Sequence, residues 1–275
     1  MAKRRNRLWR LFRLNFEGSY RFPSLASIVS IMLFVLSYTV LSQYMWNVGV
    51  YLAPGAEWWS STGAIERAEQ IARERIAMAY FHTFQSSLFV LILLVPLLIA
   101  FTLAQGFSNG ELRTLLSYPT TRPRVLLTKT GTAILVTAIT ANVSSILALF
   151  FFFPVLPHIP LILLLMLTQW SFAFLLGSAC TLVAVVSKSA PATLVTGIGG
   201  WMAGLTLATN PASSQLIQGI FYPVQSIIVY MLGDIAVFRG LEVSFLDVFV
   251  PMTASFILGI VLLVIGLIAF MWREI

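Results

Sequence analysis

Uncharged apolar runs recur along the chain at roughly 25–46, 83–104, 131–153, 161–186, 191–209 and 249–271. A helix needs about 20 apolar residues to cross a bilayer core, and five of the runs reach that length. The run at 191–209 is shorter and glycine-rich. A charge at the centre of a span costs about 2.5–3.5 kcal/mol on an insertion scale, so clean runs of this length predict membrane crossings. Backbone groups in lipid must be bonded internally, which makes each crossing a helix. The alternating segments of a transmembrane barrel are missing. The pattern therefore predicts an all-α integral membrane protein: six transmembrane helices in one transmembrane domain over 1–275.

The intervening segments have patterns of their own. In residues 3–22, Leu8, Trp9, Leu11, Phe12, Leu14 and Phe16 alternate with Arg7, Arg10, Arg13 and Asn15. Helical spacing gathers much of the apolar set on one side, with arginines able to snorkel toward lipid phosphates. This predicts an N-terminal interfacial elbow helix over 1–23 that also serves as a basic topogenic tail. The basic start resembles that of a signal peptide. The apolar run is too long for one, however, and lacks a small-residue cleavage site, so the first span is read as retained. In residues 62–82, Ile65, Ala68, Ile71, Ala72, Ile76 and Ala79 recur at spacings of three and four, predicting an extracytoplasmic helix. Ser61 or Thr62 caps it, and a Glu69–Arg73 pair adds about 0.2–0.5 kcal/mol. It either closes the outer face or runs into the second span as one rod.

Pro96 lies inside the second span and is expected to kink it. Gly197, Gly199, Gly200 and Gly204 mark the fifth. The Gly200–Gly204 pair suits close packing, either within the chain or at a dimer seam. Residues 213–233 are moderately apolar but carry Gln215, Gln218, Gln225 and Pro223. A seventh span is one reading. The other, adopted here, is a pair of outer-leaflet re-entrant helices between spans five and six, facing protein or a wet vestibule.

Composition sharpens the class. Hydrophobic residues make up 59% of the chain and charged residues 10%, and the mean hydropathy is +0.91. Soluble domains average about 25% charge, so an ordinary soluble globule and a disordered chain are both excluded. The net charge of +7 reads as topology rather than nucleic-acid binding, since no recognition module accompanies it. With six spans and both termini inside, 13 Lys and Arg fall on the cytoplasmic side against 4 outside, while acids divide 3 to 7. That bias places a multi-pass protein in the cell membrane with both termini cytoplasmic. A lone Cys180 excludes a disulfide framework and a cysteine zinc site, and His82 and His158 are far apart in sequence.

The loop over 105–130 carries the most specific pattern. Ser108 or Asn109 is predicted to cap a short helix starting near Gly110. Glu111 then sits in the first turn, where the helix dipole favours an acid. Leu112, Leu115 and Leu116 form an apolar face, Tyr118-Pro119 stops the helix, and Arg124 and Lys129 mark re-entry to the membrane. A short amphipathic helix on such a loop can insert into a groove of a partner.

Gly110, Leu112, Leu115, Leu116, Ser117, Pro119, Arg122 and Lys129 match the signature loop of permease subunits of type-2 ABC exporters, which this stretch resembles. The wider layout is similar to that family too, and in size it is similar to stand-alone permeases such as that of the copper-enzyme maturation system. One departure stands out. Relatives often carry an acid a few positions before the glycine, where this chain has Gln105 and Gly106, so any ATPase contact made by that acid is altered here.

The resemblance implies a cytoplasmic coupling helix in which Gly110, Glu111, Leu112, Arg113, Leu115, Leu116, Pro119 and Arg122 engage a separate P-loop ATP-binding subunit. Two such subunits and a second permease copy, a homodimer, would complete the transporter, with ATP and Mg bound by the partner and no cofactor in this chain. The chain itself lacks a GxxxxGK[ST] loop; its run Gly106–Leu112 has no lysine. It is read as non-catalytic alone.

A membrane enzyme, an ion channel or an ion-coupled transporter needs ionisable groups in the spans, and these spans hold none. The alternatives kept are an ATP-independent channel or transporter and a membrane anchor of another complex. An uncharged interior suits a hydrophobic, amphipathic or lipid-linked cargo. Gln85, Asn142, Gln169 and Trp170 face either the path or a neighbouring helix.

Overall fold

The computed structural model describes residues 64–117, 121–150, 158–210, 213–233 and 243–272, with Ser30, Tyr38 and Leu41. The elbow over 1–23 and the rest of the first span over 25–46 lie outside the described residues. So do Ser61, Thr62, Tyr118 and Pro119, and the side chains of Glu69, Arg73 and Arg113.

Among the described residues every regular element is helical. Helix α1, Ala64–Ile99, is one rod of 36 residues that joins the 62–82 pattern to the second apolar run. It continues through Pro96, widens into a π turn over Ala100–Ala104 and closes with a single turn, α2, Gln105–Ser108. The short α3, Glu111–Ser117, precedes α4, Arg122–Phe150. Then comes α5, Ile159–Ser187. Residues 190–208 form three pieces: α6, Ala190–Leu194, a π turn over Val195–Gly199, and α7, Gly200–Ala208. The bent pair α8, Gln215–Phe221, and α9, Pro223–Leu232, leads to α10, Phe245–Trp272.

Among the described residues, four helical stretches are long and apolar enough to cross a membrane: Glu74–Ser108, Arg122–Phe150, Ile159–Ser187 and Phe245–Trp272. Their mean hydropathies lie between 2.0 and 2.8. The α8–α9 pair makes a fifth only if its two arms, bent by 102°, count as one crossing. The sequence predicts six spans. Of the other two, the first lies mostly outside the described residues, and 190–208, helical in three consecutive pieces and rich in glycine, is less apolar than the four. Gly197, Gly199 and Gly200 are clustered at its π turn, where residues without a side chain hold a helix weakly.

Helix α5 is the hub, with α10, α1 and α4 packed against it. Its inward stripe includes Leu161, Leu165, Phe172, Leu176 and Cys180, all buried at helical spacing. From α1, Tyr80, Phe84, Leu88, Leu91, Val95 and Ile99 form a second fully buried stripe. Small residues let the helices close: an ideal Cβ on Gly197 would lie 2.6 Å from the Pro96 ring and 2.7 Å from Cys180 Sγ. Helix α10 is peripheral. Ile257, Ile260, Val261, Val264 and Ile268 on it are exposed, a surface suited to lipid tails.

The two ends differ in character. At one, called basal here, α2, α3 and the start of α4 meet the ends of α5 and α10. At the opposite end α8 and α9 turn across the bundle, and their 7 and 10 residues are each too few to span a bilayer. Ser214 caps α8 by accepting from Ile217 N at 3.4 Å. The start of α10 has a capping box. Ser244 donates to Asp247 Oδ2 through its N–H (2.8 Å) and its hydroxyl (2.6 Å), while Asp247 N donates to Ser244 Oγ at 3.4 Å.

Candidate functional site

The basal end gathers several charged and polar groups into one junction. In the π turn of α1 the Gln105 N–H reaches back to the Ala100 carbonyl, and the Thr102 hydroxyl donates to Leu98 O at 2.6 Å. The Thr102 carbonyl accepts from Lys129 Nζ at 2.8 Å. The same ammonium lies 2.7 Å from Glu111 Oε1 on α3. One lysine on α4 therefore ties α1 to α3. Its side chain is only 2% exposed, whereas that of Glu111 is 56% exposed. The cation is enclosed by the bundle and its counter-ion sits at the rim.

Local sequence explains how α3 comes to lie there. Asn109 N donates to Gln105 O, so Asn109 closes α2 rather than opening α3. Gly110 then takes φ of +71°, a left-handed conformation that glycine adopts without steric cost. Its carbonyl accepts the first helical bond, from Thr114 N. This corrects the expected cap. The Ser108 hydroxyl bonds Gln105 O at 2.9 Å and Asn109 Oδ1 at 3.4 Å, both behind the helix it was predicted to start.

The apolar face of α3 divides between buried and half-exposed residues. Leu112 is fully buried, with its Cγ 3.2 Å from where a Cβ on Gly106 would stand. Leu115 and Leu116 are partly buried against the same core. Leu112 therefore packs on the chain's own bundle, seated against the bare Gly106 backbone, while Leu115 and Leu116 stay half-exposed. Glu111, Thr114 and Ser117 point outward. Leu112→Ala should then lower stability by about 2–5 kcal/mol, as a buried Leu truncation does. Thermal unfolding of the purified variant measures it, and an unchanged midpoint would contradict the packing.

Three further contacts bind the junction to the last helices. Arg122 Nη1 donates to Met271 O at 3.3 Å, a cation at the C-terminal end of α10 where the helix dipole favours it. Lys188 ends α5 with φ of 51°, and its ammonium lies 5.8 Å from the Phe107 ring centroid. Phe107 in turn meets the buried Phe270 edge-on at 5.9 Å. Of the residues named from the loop, Gly110, Glu111, Leu112, Leu115, Leu116 and Arg122 are thus brought to one place. Arg113 is helical with its side chain outside the described residues, as is the whole of Pro119.

The loop pattern includes Lys129 without revealing its partners. One signal was available: α4 begins at Arg122, so a lysine seven positions on lies about two turns inside a helix, where a charge needs a partner. Contacts of Arg122 with Met271, and of Lys188 with Phe107, have no signal in the sequence.

The polar residues expected along the spans divide between two environments. Gln169 Nε2 donates to Ser145 Oγ at 3.3 Å, joining α5 to α4, and Asn142 Nδ2 bonds Ala138 O within α4 at 2.7 Å. Gln85 is buried on α1. Trp170 lines an apolar groove of about 440 Å³ between α4, α5 and α10. Among the described residues no three His, Cys, Asp or Glu are grouped as metal ligands.

Fold and junction together define a class: an all-helical protein whose long apolar helices fit a multi-pass membrane protein, with a short basal helix ion-paired to the spans. No protein-family model and no curated protein matches the chain.

Proposed function

We propose that this chain is the membrane-spanning subunit of an ATP-driven exporter, coupled through α3 to a separate ATP-binding subunit. The observation that carries the reading is the Lys129 junction, in which one buried ammonium holds both the π turn of α1 and Glu111 of α3. A push on α3 reaches the longest helix of the bundle through two short polar contacts. The loop's resemblance to the type-2 ABC exporter signature supports the same role. In this reading ATP and Mg are bound by the partner, in keeping with the lack of a GxxxxGK[ST] run in this sequence.

In this reading the runs at 25–46 and 191–209 complete six spans, both termini are cytoplasmic, and α8–α9 dips into the outer leaflet. Two ATP-binding subunits and a second copy of the chain form the working assembly in the cell membrane. The cargo is hydrophobic, amphipathic or lipid-linked. ATP-driven closure has only to bias two membrane states by about 5.5 kcal/mol to invert a 1:99 population. Because Leu112 is buried and Leu115 and Leu116 are half-buried, the partner docks on the exposed side of α3, at Glu111, Thr114 and Ser117.

Thr114→Trp tests this. Its hydroxyl bonds only Gly110 O of its own helix, at 3.3 Å. Bulk there should leave the thermal midpoint within a few degrees while removing the ATP-binding subunit from material purified in mild detergent. Stoichiometric recovery of that subunit with the variant would defeat the docking face. A photocrosslinker at Thr114 that captures no ATPase in native membranes would defeat the exporter reading.

A further inference from the structure

The end opposite the junction holds a cavity of about 380 Å³ between the close of α7, the α8–α9 bend and the start of α10. Gln215, Gln218, Gln225, Tyr222, Ser226 and Asp247 are among its lining residues. Residues 213–233 drew notice in the sequence because three glutamines interrupt an apolar segment, and the fold turns all three to one space. They are not equivalent. Gln218 is engaged, its Nε2 lying 3.3 Å from Ser213 Oγ. The amides of Gln215 and Gln225 have no hydrogen-bond partner in the structure. Asp247 commits Oδ2 to the Ser244 cap, which leaves Oδ1 for another donor. The volume falls in the range of small-molecule sites, about 300–1,000 Å³.

We propose that this cavity binds a polyhydroxylated, uncharged group, a sugar ring or the sugar head of an amphiphile. Each carboxamide offers both donors and an acceptor, so two free amides can bridge neighbouring hydroxyls in either sense. The Asp247 carboxylate accepts a further O–H, and Ser226 can donate or accept. Tyr222 also lines the cavity, its ring packed 5.9 Å from that of Phe81, and adds apolar surface suited to the C–H side of a sugar. The lining contributes a carboxylate and no cation among the described residues, which disfavours phosphates and carboxylates. Such a site discriminates strongly, because a ligand without hydroxyls leaves its polar groups unpaired. The inference needs only this chain, and it stands or falls separately from coupling to an ATPase.

The test uses the full-length protein in phosphatidylcholine nanodiscs with n-octyl β-glucoside as probe, below its micellar concentration. Saturation-transfer NMR reads which probe protons touch the protein, and an octyl sulfobetaine controls for binding through the chain. The expected result is saturation of the glucoside ring protons, absent from the sulfobetaine head and displaced by free methyl glucoside. Gln215→Met with Gln225→Met keeps side-chain length and should weaken ring binding at least tenfold. Gln225→Glu serves as a second variant that retains polarity, and is expected to weaken it less. No ring saturation in the unmodified protein, or equal ring binding by the double methionine variant at an unchanged thermal midpoint, would overturn the proposal. So would tighter binding of tetramethylammonium than of methyl glucoside, which would make Asp247 and Tyr222 an ammonium site.

Discussion

Glu111→Ala should destabilise this protein more than Lys129→Met, although both remove the same ion pair. The asymmetry follows from exposure. Glu111 stands mostly in solvent, so its carboxylate loses little when the lysine goes. Lys129→Met replaces an enclosed ammonium by an apolar chain of similar length. It removes a desolvation cost and takes from the Thr102 carbonyl only the contact made by the ammonium. A change within about 1 kcal/mol is expected, since apolar replacements of buried ion pairs are often neutral. Glu111→Ala leaves a 2%-exposed cation with one carbonyl partner. Stripping the partner from a fully buried charge costs about 3–5 kcal/mol, and the exposed rim here brings the expectation down to about 2–3 kcal/mol. By the usual scaling for chains of this size that lowers the thermal midpoint on the order of 5–10 °C. The double variant should fall close to Lys129→Met alone. Thermal unfolding of the four proteins in one detergent decides it, and additive single effects, or a larger loss for Lys129→Met, would refute the enclosed-cation account. On the proposed coupling, Lys129→Met also separates ATP hydrolysis from transport while the fold survives.

Gly197→Ala is the second large effect. A Cβ at this position would stand within 2.6–2.7 Å of the Pro96 ring and Cys180 Sγ. Neither neighbour can give way easily. The proline ring is fixed in α1, and the cysteine is pinned on the inward stripe of α5, the hub of the bundle. One methyl group therefore pries three helices apart, and overpacking of this kind costs about 1–3 kcal/mol. Gly199 and Gly200, in the same helical turn, have nothing within 4 Å of their ideal Cβ. Alanine at either should be neutral or stabilise by about 0.4–1 kcal/mol, by restricting the unfolded chain. Midpoints of the three variants side by side make the comparison. Equal losses at all three would mean that helix propensity, not contact, governs the segment.

The same contrast shows what glycine spacing means in this chain. Gly200 and Gly204 read as a pair in sequence, yet they diverge in the fold. The ring of Phe221 fills the space over Gly204 where a Cβ would stand, and packs beside Trp201 at 4.6 Å. Gly200 faces open space. Spacing along a helix places both on one face. What lies opposite that face depends on the α8–α9 bend, which no local pattern encodes.

Much was legible in the chain itself. Apolar runs without charge forced helices long enough for a membrane, because an unbonded backbone or an isolated charge in lipid is too unfavourable. The helical repeat over 62–82, the break near Gly110 and the odd glutamines of 213–233 were visible for the same local reasons: period, backbone freedom and polarity. The tertiary structure decided the partners. It buried Leu112 of α3 because Gly106 leaves room, and it joined Lys129 to Glu111 across 18 positions. It also gathered Gln215 and Gln225 around one cavity by bending α8 against α9. Sequence determines what each segment must bury or satisfy, since those demands are local. Which group satisfies them is settled only when separate helices meet, and contacts between helices carry no period along the chain.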